Sequence, residues 1–182
     1  MNETVIDINN ITELEHAFAE DFGTPIFPVL ANHYLKNKEM KRSRKVCELG
    51  LEHSPHNSDG KFILAKLNLY ENKLMNGEQL LKQVVDENPV HINGLRILIE
   101  VMRSLNRSSN TITKYIHRIL NVLPDDEDSL ALLASIENSA ESEPIPLVDP
   151  NINIENIASP KKVVPQKEAK AKQVIPPLKA RV

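Results

Sequence analysis

Apolar positions along this chain come in helical blocks separated by short polar breaks. The clearest block places Phe27, Leu30, Ala31 and Tyr34 at spacings of three, one and three, which is a single face of a helix. Leu95, Leu98, Ile99 and Met102 repeat those spacings. After each block comes a second run: Ser43, Cys47 and Gly50, then Gly77, Leu81 and Val84, then the larger Ile112, Ile116 and Ile119. Each pair of runs closes at a proline, and Pro55, Pro89 and Pro124 lie 34 and 35 residues apart. That period belongs to a helical hairpin stacked in an array. Such an array buries its own apolar faces and leaves a groove, so the pattern points to binding.

With each proline set at position 32, the units span 24–57, 58–91 and 92–126. Small residues at positions 8, 20 and 27 of the first unit (Ala31, Ser43 and Gly50) predict close approach of its two helices. The second unit departs at positions 4 and 11, where Lys61 and Asn68 stand in place of large apolar residues. Phe62, Leu67 and Leu69 are the neighbours able to compensate. The third unit holds one extra residue, in the loop Asn106-Arg-Ser-Ser-Asn110.

The pattern resembles the tetratricopeptide repeat. Phe27-x-x-Leu30-Ala31-x-x-Tyr34, followed by Ser43, Gly50 and Pro55, follows that family's signature, and the likeness runs over about residues 24–124. The resemblance implies an all-α solenoid of about three hairpins that serves as a protein-binding scaffold.

The flanks complete the expected architecture. Within 1–23, Ile11, Leu14, Phe18 and Phe22 recur at helical spacing and predict a short capping helix, ended by Gly23 and Pro25. Residues 127–138 continue the register as half a unit, with Leu130, Leu133 and Ala134 at positions 4, 7 and 8. Asp125 or Asp126 can cap that helix, and Glu127 and Asp128 suit its positive end. From 139 to 182 there is no periodicity, and seven of the twelve prolines fall there. This stretch is expected to be a disordered tail with apolar islands at Ile152-Asn-Ile154 and Val174-Ile-Pro-Pro-Leu178.

Composition sharpens this picture in two ways. Aromatics make up only 4% of the 182 residues and there is no Trp, so the core must be aliphatic, which favours helices over a β-sandwich. The net charge of −3 hides an asymmetry: residues 161–182 carry seven cations against Glu168, a net +6, so the rest carries −9. The opening Met1-Asn-Glu-Thr-Val-Ile-Asp has neither a basic region nor an apolar run. No stretch approaches the roughly 18 apolar residues of a membrane span. A cytoplasmic location is expected.

Candidate chemistry is sparse. Cys47, His53 and His56 are three soft ligands close in sequence. However, Cys47 takes an inward helix position, where a lone cysteine is core packing, and no second cysteine exists to close a structural zinc site. His16, His33, His91 and His117 share no spacing, and no phosphate loop, nucleophile elbow or His-Glu-x-x-His occurs. No cofactor and no enzymatic activity are expected.

Family positions 2, 5, 6, 9, 12 and 13 line the concave surface of such arrays. Carried over residue by residue, they give Val29, Asn32 and Lys36, then Phe62, Ile63, Lys66 and Tyr70, then Arg96, Ile97, Glu100 and Arg103. Ala131 and Ser135 follow from the last helix. Cations on apolar ground suit a peptide or helix bearing a carboxylate. The clamp with which one subfamily holds chaperone C-termini is matched only at Asn32; Pro28 and Ile63 stand where it needs Lys and Asn. The expected function is a non-enzymatic adaptor that grips a partner protein in this groove. The alternative is an accessory protein whose basic tail binds nucleic acid or another acidic surface. An acidic body, and a tail without aromatics for base stacking, weigh against it.

Overall fold

Every first helix of the three units ends in the same turn, and that turn sets the geometry of the hairpins. Lys38, Asn72 and Asn106 all occupy position 15, and all have positive φ, at 61°, 57° and 51°. Behind each, the next backbone N–H bonds back into the helix: Glu39 to Tyr34, Lys73 to Asn68, and Arg107 to Met102. These left-handed residues satisfy carbonyls that the helix end would leave without partners. They turn the chain into the second helix within a few residues.

The computed structural model describes residues 6–139. Among them are eight helices: α1 (Ile11–Glu20), α2 (Phe27–Lys36), α3 (Met40–His53), α4 (Ser58–Tyr70), α5 (Leu74–Glu87), α6 (Ile92–Ser104), α7 (Ser109–Val122) and α8 (Glu127–Ser139). Helices α2/α3, α4/α5 and α6/α7 are the three hairpins, each packed on the next, with α1 against α2 and α8 against α7. The fold is the expected all-α solenoid. The tail beyond residue 139 lies outside the described residues.

Close approach inside the first hairpin depends on the small residues. Ala31, Ser43 and Cys47 are fully buried, and the Ser43 hydroxyl donates to the Ala31 carbonyl at 2.7 Å. The Phe27 ring, also fully buried, lies where side chains on Gly50 and Gly60 would project. Two glycines from neighbouring helices thus make room for the one large residue at position 4. Helix α2 is shorter than α4 and α6, starting at Phe27 with Pro28 in its first turn. Proline lacks an N–H and fits only there.

Helix α4 explains how the second unit tolerates its polar substitutions. Ile63 and Leu67 join a core with Phe27, Leu30 and Tyr34, while Ala65 and Leu69 join another with Leu95, Leu98 and Ile116. A helix buried on two sides is apolar nearly all round. The polar exceptions are matched by partners. Lys61 Nζ meets Glu87 at 2.5 Å, and buried Asn68 accepts from Arg44 at 3.1 Å. Phe62 packs against both cores, while Leu67 and Leu69 are buried.

The ends behave differently. In α1, Leu14 and Phe18 are buried, and Phe22 just beyond it meets Phe18 at a tilt and His53 edge-on, with centroids 5.2 and 5.9 Å apart. In α8 the register differs from the sequence expectation. Ser129 and Ile136 are buried and Leu132 and Leu133 half-buried, whereas Leu130 and Ala134 face outward. Positions 4 and 8 pack against the second helix of their own hairpin. Here α8 packs against α7 with no following helix among the described residues, so its buried face turns toward that neighbour.

Candidate functional site

The first helices of the three hairpins, and α8 after them, present four stripes. On α2, Val29 and Lys36 are exposed and Asn32 is half-buried. On α4, Tyr70 is exposed and Phe62 and Lys66 are half-buried. On α6, Arg96, Glu100 and Arg103 are half-buried, and on α8 Ala131 and Ser135 are exposed. Within each stripe the residues recur every three or four positions, so each follows one helix face.

Two of the expected surface residues drop out. Ile63 is 6% exposed and Ile97 fully buried, both inside the aliphatic cores. In α4 and α6 position 6 is packed into those cores, whereas Val29 at the same position of α2 stays exposed. Neither isoleucine side chain is available to a ligand.

The cations differ in how they are held. Arg96 pairs with Asp126, which also accepts from the Ser129 N–H at 3.2 Å. Burial would raise the Asp126 carboxyl, but Ser129 and Arg96 outweigh it and hold it below the usual aspartate range. Arg96 is therefore a strut between α6 and the start of α8 rather than a free recognition charge. Arg103 bonds Glu100 at 3.0 Å one turn away. Lys66 reaches over the Phe62 ring, with Nζ 5.8 Å from the centroid. The other face of that aromatic site is His91, whose ring lies 4.6 Å from Phe62. His91 Nδ1 accepts from the Gly94 N–H at 2.8 Å and so caps α6. No sequence spacing marks His91 for this role, but its place immediately before α6 is a cap position.

The remaining titratable groups form structural clasps. Tyr34 donates to Glu15 of α1; burial first, and that bond second, push its hydroxyl up to about 12. The Cys47 thiol is also pushed up to about 12, by burial, and is thus an inert core group. His53 Nδ1 lies 3.1 Å from the Leu49 carbonyl, while His56 faces Glu87. Cys47, His53 and His56 therefore do not converge, and the described residues contain no cluster of three metal-ligating side chains. No described helix is long and apolar enough to cross a membrane.

No protein-family profile matches the chain, and no curated protein matches it. Among solved structures, several are similar in fold. A crystal structure of MamA superposes with a TM-score of 0.61 at 11% identity, covering 84% of this chain and 85% of that one. A second MamA crystal structure gives 0.55 at 11% identity, covering 74% and 85%. The first TPR of Spaghetti (RPAP3), bound to the HSP90 peptide SRMEEVD, gives 0.53 at 15% identity, covering 75% of this chain and all of that one. The chain has the fold of a tetratricopeptide-like array.

Proposed function

We propose that this protein is a non-enzymatic adaptor that holds an extended or helical segment of a partner protein along its first helices. The observation that carries the reading is the aromatic and cationic stripe on α4, Phe62, Lys66 and Tyr70, flanked by Val29, Asn32 and Lys36 on α2. Apolar ground with cations above it suits a segment that alternates apolar and acidic side chains. The peptide-bound structural neighbour is a precedent for this use of the fold. The mode of capture differs from a carboxylate clamp, because Pro28 and Ile63 are both buried.

The test is affinity capture with the whole chain and with the Lys36→Glu/Lys66→Glu variant, each checked by circular dichroism. The reading requires a protein retained by the first bait and depleted about tenfold or more by two charge reversals, at roughly 1–2 kcal/mol each. Equal retention by both baits moves binding off this surface. Capture that disappears on nuclease treatment favours the basic tail as the binding element.

A further inference from the structure

The turn after each first helix occurs three times, and its charge differs between units. Residues 36–45, from the last turn of α2 to the second turn of α3, hold six cations against Glu39, a net +5 in a body that totals −9. The corresponding stretch 70–79 holds Lys73 as its one cation, paired with Glu71 at 2.6 Å. Stretch 104–113 holds Arg107 as its one cation, paired with Glu78 at 2.7 Å. In the first unit only the arginines are engaged. Arg42 lies over the Tyr34 ring and pairs with Glu15 and Glu39, and Arg44 pairs with Glu71. Lys36, Lys38, Lys41 and Lys45 are exposed and form no ion pair among the described residues. Lys41 and Lys45 stand one helical turn apart, where like charges repel. These lysines therefore add nothing to the cohesion of their own hairpin.

We propose that the four lysines take an acidic run, consecutive Asp or Glu residues, in the partner protein. The direction of that segment rests on the reading of the first helices as the binding surface. Lys36 belongs both to the α2 stripe and to this patch, so the acidic run crosses the α2–α3 turn while the apolar part lies along the helices. Spacing agrees. Alternate side chains of an extended run stand about 6.6 Å apart, and Lys41 and Lys45 stand about 6 Å apart along the helix axis. Carboxylates fit better than nucleic acid. The neighbouring Tyr34 ring is buried beneath Arg42 and offers a base nothing to stack on. The acidic body also repels a long polyanion more than a short acidic run.

Amide chemical shifts of the full chain, titrated with synthetic octaglutamate, test this. The expected result is movement of the 36–45 amides that salt reverses. Binding there should weaken about tenfold in Lys38→Gln/Lys41→Gln/Lys45→Gln, with the rest of the spectrum reporting that this variant is folded. Amides 36–45 that stay still at millimolar peptide, or that move equally in the variant, overturn the proposal. So do shifts confined to the basic residues 161–182. Tighter binding of decathymidylate than of octaglutamate at the 36–45 amides overturns it in favour of nucleic acid. Octaglutamate preceded by three leucine–glutamate pairs tests the underlying reading separately. It should bind more tightly than octaglutamate, with the gain lost in Lys66→Gln. If that gain is missing while the 36–45 shifts remain, the stripe fails and the patch stands.

Discussion

Among single residues, the left-handed turn positions and the glycines around Phe27 carry the most information. Lys38 is the odd member of the turn set, since asparagine tolerates positive φ better than lysine does. Lys38→Gly should therefore raise stability by about 0.5–1 kcal/mol, seen as a higher urea midpoint with unchanged slope. A lowered midpoint would mean that the lysine side chain contributes more than its backbone strain costs. Gly50→Ala tests the opposite case. Helix propensity alone would gain about 1 kcal/mol, but the added carbon enters the space of the fully buried Phe27 ring. Overpacking should win, with a net loss of about 1–2 kcal/mol. At this scale the sequence was informative where spacing encodes contact: Ala31, Ser43 and Gly50 meet the opposite helix as their positions predict. It was silent on Lys38, because nothing in a lysine announces a left-handed turn.

Between elements, ion-paired carboxylates clasp neighbouring helices together. Glu78, with its side chain 4% exposed, receives Arg107 from the next hairpin and Lys82 from its own helix, both at 2.7 Å. Burial alone would raise its pKa, but the bonds from Arg107 and Lys82 outweigh it, and the net direction is down. Glu71 is lowered by Lys73 and Arg44, and Glu87 by Lys61 against a smaller opposing burial. A carboxylate whose native pKa is depressed contributes stability that is complete above its ordinary value. That contribution is lost as the pH falls through the native value. The thermal midpoint should thus stay level from neutral pH down to about pH 5 and fall below the ordinary glutamate value of 4.5. Glu78→Gln should fall less steeply. If its acid limb runs parallel to that of the natural protein, Glu78 is not among the groups responsible. Arg107→Ala removes one of the two partners of Glu78 and should lower the thermal midpoint at neutral pH, because Lys82 alone then faces the buried carboxylate. The periodicity placed these helices well but misjudged α8. A register carried over from complete hairpins assumes a following second helix to pack against, and none follows α8 among the described residues.

For the whole molecule, the sequence marked positions along the first helices, but not which of their side chains are available. Position counting cannot distinguish a surface isoleucine from one packed into an aliphatic core, which is where Ile63 and Ile97 lie. Nor could it show Arg96 engaged by Asp126, some thirty residues away. Phe62 has the widest consequence at this scale. It touches both aliphatic cores, one built from α1 to α4 and the other from α4 to α8. A linear array melts as one body only while the coupling between neighbours exceeds the spread in their separate stabilities. Phe62→Ala should weaken that coupling and broaden or split the calorimetric transition while leaving the helix content at low temperature unchanged. The same ring lies in the proposed binding stripe, so a ligand resting on it would tie together two halves that can otherwise open separately. Such a ligand would be detected as a sharper melt as well as a higher one.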